Sequence, residues 1–170
     1  MNTKHLIAIV SAAGLALASQ HAIAKGPSYT YAEIGYVHFD ADKYDGNGAE
    51  VNISYGATEH IFVKLGYSRL FVDAATVVSD IDVDQFNIGM GYHMSVTDNV
   101  DVLGVVSYVD REYSGGIPSE ADDGYQVDLG VRAMVTKKAE LNATGSFRHM
   151  KQTSAMGVTD DDDLGFEVGT

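Results

Sequence analysis

The stretch Gln85-Phe86-Asn87-Ile88-Gly89-Met90-Gly91-Tyr92-His93-Met94 alternates without a lapse. Phe, Ile, Met, Tyr and Met fill the even positions, and Gln, Asn, Gly, Gly and His fill the odd ones. Successive side chains of a strand point to opposite faces, so a strict period of two reads as a β-strand with one apolar and one polar face. The segments Ala49–Ala57 and Tyr125–Val135 repeat the pattern. Across the three, one face is apolar at all 16 positions, while the other is apolar at one of 14, Met134. Two faces so different must meet two different media.

Weaker copies fill the rest of the chain. Tyr29–Phe39 sets Ala32, Ile34 and Tyr36 against Glu33 and Gly35. Ile61–Leu70 sets Ile61, Val63, Leu65 and Tyr67 against Lys64, Gly66 and Ser68. Glu140–Lys151 sets Leu141, Ala143, Gly145 and Phe147 against Asn142, Thr144, Ser146 and Arg148. Val100–Tyr113 is apolar on both sides, and is oriented with Val102, Val106 and Tyr108 outward because Asp101 and Ser107 then share the polar face. A last segment starts at Leu164, with Phe166 and Val168 beside it and Gly165 and Glu167 facing away. Short connections are expected at Ala57–His60, Ser95–Asn99 and Thr136–Ala139, and long loops at Asp40–Gly48, Val72–Asp84, Arg111–Gly124 and Gln152–Asp163. Tight turns at one end and long loops at the other describe an all-β, eight-stranded antiparallel up-and-down barrel.

Such a barrel can turn its apolar face inward around a ligand or outward to lipid. The polar face mixes Glu33, Glu50, Lys64, Asp128, Arg132, Arg148 and Glu167 with Gly35, Gly56, Gly66, Gly89, Gly91, Gly130 and Gly165. Glycine weakens a strand and gives nothing to a water-facing surface, but a narrow lumen needs the room it leaves. Tyr36, Tyr55, Tyr67, Tyr92, Tyr108 and Tyr125 recur on the apolar face near strand ends, as girdle residues at a membrane interface do. The apolar face is therefore expected to meet lipid. A tilted crossing takes roughly 9–11 residues; the last segment, counted from Leu164, is shorter, so the eighth strand is expected to be incomplete and the chain to lack a few residues beyond Thr170.

Composition agrees once it is divided between the two faces. The 170 residues carry a formal charge of −13 with no Cys. So acidic a chain does not suit a nucleic-acid partner, since it cannot release counterions from phosphates. Thiolate zinc sites, disulfides and cysteine nucleophiles are excluded. Mean hydropathy of −0.05 excludes a polytopic helical membrane protein, which repeats apolar runs of about twenty residues. Lys4 and His5 precede an apolar run from Leu6 to Ala18, and Ala22-Ile23-Ala24 has the small residues a signal peptidase reads. Residues 1–24 are expected to be a signal peptide cleaved after Ala24, and 25–170 the barrel domain. Export without cysteine fits a bacterial envelope.

Signal peptide, eight alternating segments and acidic loops together resemble the small bacterial outer-membrane barrels of the OmpX, Ail and OmpA-transmembrane-domain kind. Tyr29-Thr30-Tyr31-Ala32-Glu33-Ile34-Gly35-Tyr36, the Phe62, Gly66 and Tyr67 spacing, and Val83 to Tyr92 look more specifically like Ax-type outer-membrane proteins. The resemblance covers nearly all of 29–170 and implies the fold and the outer membrane. It brings no catalytic residue with it, and the chain departs from the pattern in lacking a terminal aromatic residue.

Candidate sites fall in three groups. The lumen charges Glu33, Glu50, Asp128 and Glu167 face Lys64, Arg132 and Arg148. They read as a salt-bridged plug, because eight strands leave a lumen just wide enough for side chains to fill, or else as a gate on a narrow small-solute channel. Acidic residues crowd the expected long loops: Asp40, Asp42, Asp45, Asp73, Asp80, Asp82, Asp84, Asp110, Glu112, Glu120, Asp122, Asp123 and Asp160 to Asp163. They read as a solvated crown whose carboxylates could bring divalent cations to the phosphates of lipopolysaccharide. Asp40 to Gly48 fails as an EF-hand loop, since Tyr44 holds a ligand position and Asp45 the place of the required glycine. His93 is expected in the lumen, His60 in a turn, and His38 and His149 near strand ends. No spacing places a nucleophile beside them, so no catalytic, cofactor-binding or metal residue is nominated and a lipid-modifying enzyme is the weakest alternative. The expectation is a non-enzymatic, monomeric outer-membrane barrel whose neighbours are outer-membrane lipid and lipopolysaccharide.

Overall fold

The computed structural model describes residues 10–12, 26–41, 44–74, 81–115, 120–136, 139–154 and 157–169. Asp42, Asp80 and all of the expected leader except 10–12 lie outside them. The strands are β1 (Val10–Ala12), β2 (Tyr31–Ala41), β3 (Tyr44–Gly56), β4 (Ile61–Ala74), β5 (Ile81–Thr97), β6 (Val100–Gly115), β7 (Glu120–Met134), β8 (Glu140–Ser154) and β9 (Gly157–Gly169). They form one sheet in sequence order, with every neighbouring pair antiparallel. Strands β2 to β9 are the eight expected segments. The short β1 pairs with Tyr36–His38 on the outer edge of β2.

The register puts the apolar sets on a single wall. Tyr36, Ile53, Leu65, Ile88, Met90, Val106, Leu129 and Phe166 are all exposed there, Leu129 to 68%. An apolar surface this continuous is not left facing water in a soluble monomer. The six girdle tyrosines are exposed on the same wall. Tyr55 and Tyr92 lie toward the tight-turn end, and Tyr67, Tyr108 and Tyr125 toward the other, which gives two belts. The orientation expected for Val100–Tyr113 holds. Val106 and Tyr108 are outside, Asp101 and Ser107 are buried, and Val105 and Val109 point inward and fill the lumen. The second apolar row that blurred the pattern there is lumen packing.

Glycine gives the lumen its room at two close approaches. A Cβ on Gly91 would strike the edge of the Phe62 ring, and one on Gly66 would strike the amides of Asn52 and Asn87. The three tight turns lie where expected. Ala57 and Thr58 N–H groups donate to the Ile61 carbonyl at 2.8 and 3.0 Å, and Val135 and Thr136 N–H groups to the Ala139 carbonyl at 2.9 and 3.2 Å.

The far end differs from expectation. Strands β2 and β3 run on to Ala41 and Tyr44, β8 and β9 to Ser154 and Gly157. The stretches expected as long loops are largely hairpin extensions, and every described acidic residue assigned to loops lies on a strand. Aspartate disfavours strands only weakly, and each pair inherits its register from the ladder below. The last strand is likewise longer than expected, with 13 residues, because Asp160 to Asp163 pair with Lys151 to Arg148.

The sheet is not closed: among the described residues no ladder joins β2 to β9. With no neighbour beyond it, β9 is exposed on both faces from Asp160 to Val168. Glu167, expected in the lumen, is therefore uncovered.

Candidate lumen site

The inward faces gather into two clusters. The first lies at the tight-turn end and is built around Tyr29, which precedes β2 and turns into the barrel. Its ring stacks on His93 with centroids 3.7 Å apart and planes at 14°, and lies 4.7 Å from Phe62. Tyr29, Phe62 and Val105 form the buried apolar core, with Leu103 packed against them. The Arg132 guanidinium lies 4.7 Å from the centre of the Tyr29 ring and 5.2 Å from that of Tyr31. Arg132 also binds Glu140 through both ends of its fork, Nε to Oε1 and Nη2 to Oε2, the latter at 2.9 Å. Bidentate pairing of this kind is the strong form of a charge-assisted hydrogen bond.

The same cluster leaves polar atoms unmatched. His93 Nδ1 lies 3.2 Å from an Asp101 oxygen, yet neither His93 Nδ1, Asp101 Oδ1 nor the Tyr29 hydroxyl makes a hydrogen bond, and all three are buried. Burial, reinforced by the Asp101 carboxylate, holds the Tyr29 phenol well above its usual range, so it stays protonated.

The second cluster lies further up the lumen. Arg111 donates to Gln85 Oε1 from Nε and Nη2 at 3.2 and 2.9 Å, and to the Tyr113 hydroxyl at 3.1 Å. Arg148 Nε donates to Gln126 Oε1 at 2.9 Å, and Gln126 Nε2 donates to Asp128 at 2.7 Å. Asp122 stands directly across the ladder from Arg111, buried, with Oδ1 unpaired. On this part of the inward face, polar side chains are joined into networks.

The lumen charges are thus where the alternation put them, with the exception of Glu167, but their partners differ. Arg132 pairs with Glu140 rather than with Glu33, Glu50 or Asp128, and Arg148 reaches Asp128 only through an amide. The pair Arg132–Glu140 had a readable signal, since both lie on the inward face within three ladder rungs of the Thr136–Ala139 turn. The Gln85 and Gln126 contacts and the Tyr29 insertion had none.

His60 and His93 lie 6.0 Å apart, ring centre to ring centre, and His149 lies elsewhere. His60 sits in the β3–β4 turn, 5.7 Å from Tyr92 ring to ring. His149 lies on the outer wall, its Nδ1 2.7 Å from Asp162 and its ring 5.2 Å from Tyr125. The side chain of His38 lies outside the described residues. On the same wall Tyr67 donates to Asp84 at 2.5 Å and Arg69 to Asp82 at 2.9 Å. Among the described residues no three His, Asp or Glu side chains are placed to hold a metal ion.

A lipid-facing wall around a networked polar lumen is the plan of a membrane-spanning barrel, and the family comparison agrees. The family model described as outer membrane protein beta-barrel domain matches residues 7–170. The chain belongs to that family. No curated protein matched, and no solved structure did. Membership in this barrel family points to the outer membrane as its location.

Proposed function

We propose that the chain is a non-enzymatic outer-membrane barrel that acts through its surface and not through a reaction. In this reading residues 1–24 direct export and are removed, and the acidic hairpins stand outside the cell. The observation that carries it is the inward face: from the Tyr29 cluster up to the Arg111 and Arg148 networks it is packed with side chains, its guanidinium groups held by Glu140, Gln85, Tyr113 and Gln126. A site for chemistry would instead need a nucleophile or activated water beside a base in an open pocket.

The hairpins would contribute to the envelope through their charge. Asp82, Asp84, Asp110, Asp123 and Asp162 fall on the outward face of their strands, just beyond the Tyr67, Tyr108 and Tyr125 belt. At that level they would meet anionic lipopolysaccharide headgroups, and divalent cations would be the natural mediators between the two. The protein works as a monomer in this reading. Fractionation of cells expressing the full chain tests it: the protein should appear in the outer membrane and migrate differently on a gel before and after boiling. Recovery as a soluble periplasmic species contradicts it.

A further inference from the structure

We propose that the segment Gly26 to Thr30 is a displaceable strap that closes the tight-turn mouth of the lumen, with Tyr29 as its stopper. It goes beyond the surface role above and rests on the barrel reading alone. The strap crosses the mouth from one side to the other. Near β3 it is held by Ser54 Oγ, which donates to the Tyr29 carbonyl at 2.8 Å, and by Gly56 N–H, which donates to Thr30 Oγ1 at 3.0 Å. On the opposite side Arg132 Nη1 donates to the Ser28 carbonyl at 3.0 Å, and Gly26 packs beside the Asp98 carbonyl in the β5–β6 turn.

Two features make this a strap and not a fixed part of the wall. First, no ladder holds it: β2 begins only at Tyr31, paired with Ser54. Among the described residues, the hydrogen bonds that tie it to β3 and β7 each use a side chain, and each could be replaced by water. Second, the closed state buries three polar atoms without hydrogen bonds, on Tyr29, His93 and Asp101. Leaving a buried donor or acceptor unmatched costs its full desolvation. Withdrawing Tyr29 would let water reach all three, at the expense of its stacking on His93 and Phe62 and its contact with Arg132. Opposed terms of similar size give an element with two states, closed and open. In the open state the mouth becomes a polar vestibule lined by His93, Asp101 and Arg132.

The absence of native cysteine allows a direct test on the full chain in lipid vesicles. Val105, 2% exposed beneath the stopper, and Val109, 1% exposed further up the lumen, are each replaced by Cys and exposed to a small water-soluble thiol reagent. Tyr29→Ala should speed labelling at 105 by at least about tenfold and leave 109 unchanged. Tyr29→Phe keeps the ring and removes one unmatched oxygen, so it should slow labelling at 105, by about tenfold if the relief is about 1.4 kcal/mol. Equal acceleration at both positions would mean a loosened barrel and overturn the strap, as would an unchanged rate at 105 in Tyr29→Ala or acceleration in Tyr29→Phe. The boiling-dependent gel shift of each variant reports the barrel separately, so failure of the fold and failure of the strap are told apart.

Discussion

Arg132 on β7 grips Glu140 on β8 with both ends of its guanidinium while its third nitrogen holds the Ser28 carbonyl. One side chain thus ties the last tight turn, the neighbouring strand and the segment before β2 into one unit at the mouth of the barrel.

Replacing Arg132 with Ala should cost about 3 kcal/mol of unfolding free energy, because it strands a largely buried carboxylate. Arg132→Lys keeps the charge but not the fork and should cost less. Urea unfolding of the three proteins in detergent or lipid measures the order.

Ile88 faces outward at the middle of β5, 48% exposed. Ile88→Lys should destabilise the inserted barrel by about 2–4 kcal/mol, the cost of a cation near the bilayer midplane. A water-facing wall would make the substitution nearly neutral, so unfolding from lipid distinguishes the two.

Gly91 gives Phe62 its place in the lumen. Gly91→Val should cost about 1–3 kcal/mol through overpacking, and Phe62→Ala in the same chain should recover part of it. A double-mutant cycle on unfolding free energies reads the coupling.

The Tyr29 phenol, held above its usual range by burial and then by Asp101, sets a pH dependence. An acid whose folded value is raised contributes stability that is complete below the unfolded value and is lost as pH rises toward the folded one. The closed strap should therefore weaken only above about pH 10, the usual tyrosine value. Ultraviolet titration should show that the last tyrosine to ionise is the one lost in Tyr29→Phe.

Much of this architecture was legible from residue order, because lipid demands an unbroken apolar face and a narrow lumen demands small or paired groups. Gln85 to Met94 therefore reads as a two-faced strand without help. The Val100–Tyr113 strand was harder, since Val105 and Val109 add a lumen apolar row, but Asp101 and Ser107 fixed its orientation. Asp160 to Asp163 misled: four aspartates look like a loop, yet pairing with β8 carries them into a strand. Tyr29 gave no sign of its role, because a segment outside the periodic strands is placed by tertiary contacts that alternation does not encode. The Gln85 and Gln126 bridges were hidden for the same reason, since an amide on a polar face does not announce which guanidinium it will accept from.

Everything above depends on the alternating apolar face meeting lipid. Spin labels on single cysteines at Ile88 and Leu129, compared with Asn87 and Gln126, test it in bilayers. The first two should collide with oxygen dissolved in the lipid and be shielded from a water-soluble nickel chelate, while the second two should be shielded from that oxygen. Free access of the chelate to Ile88 and Leu129 would contradict it.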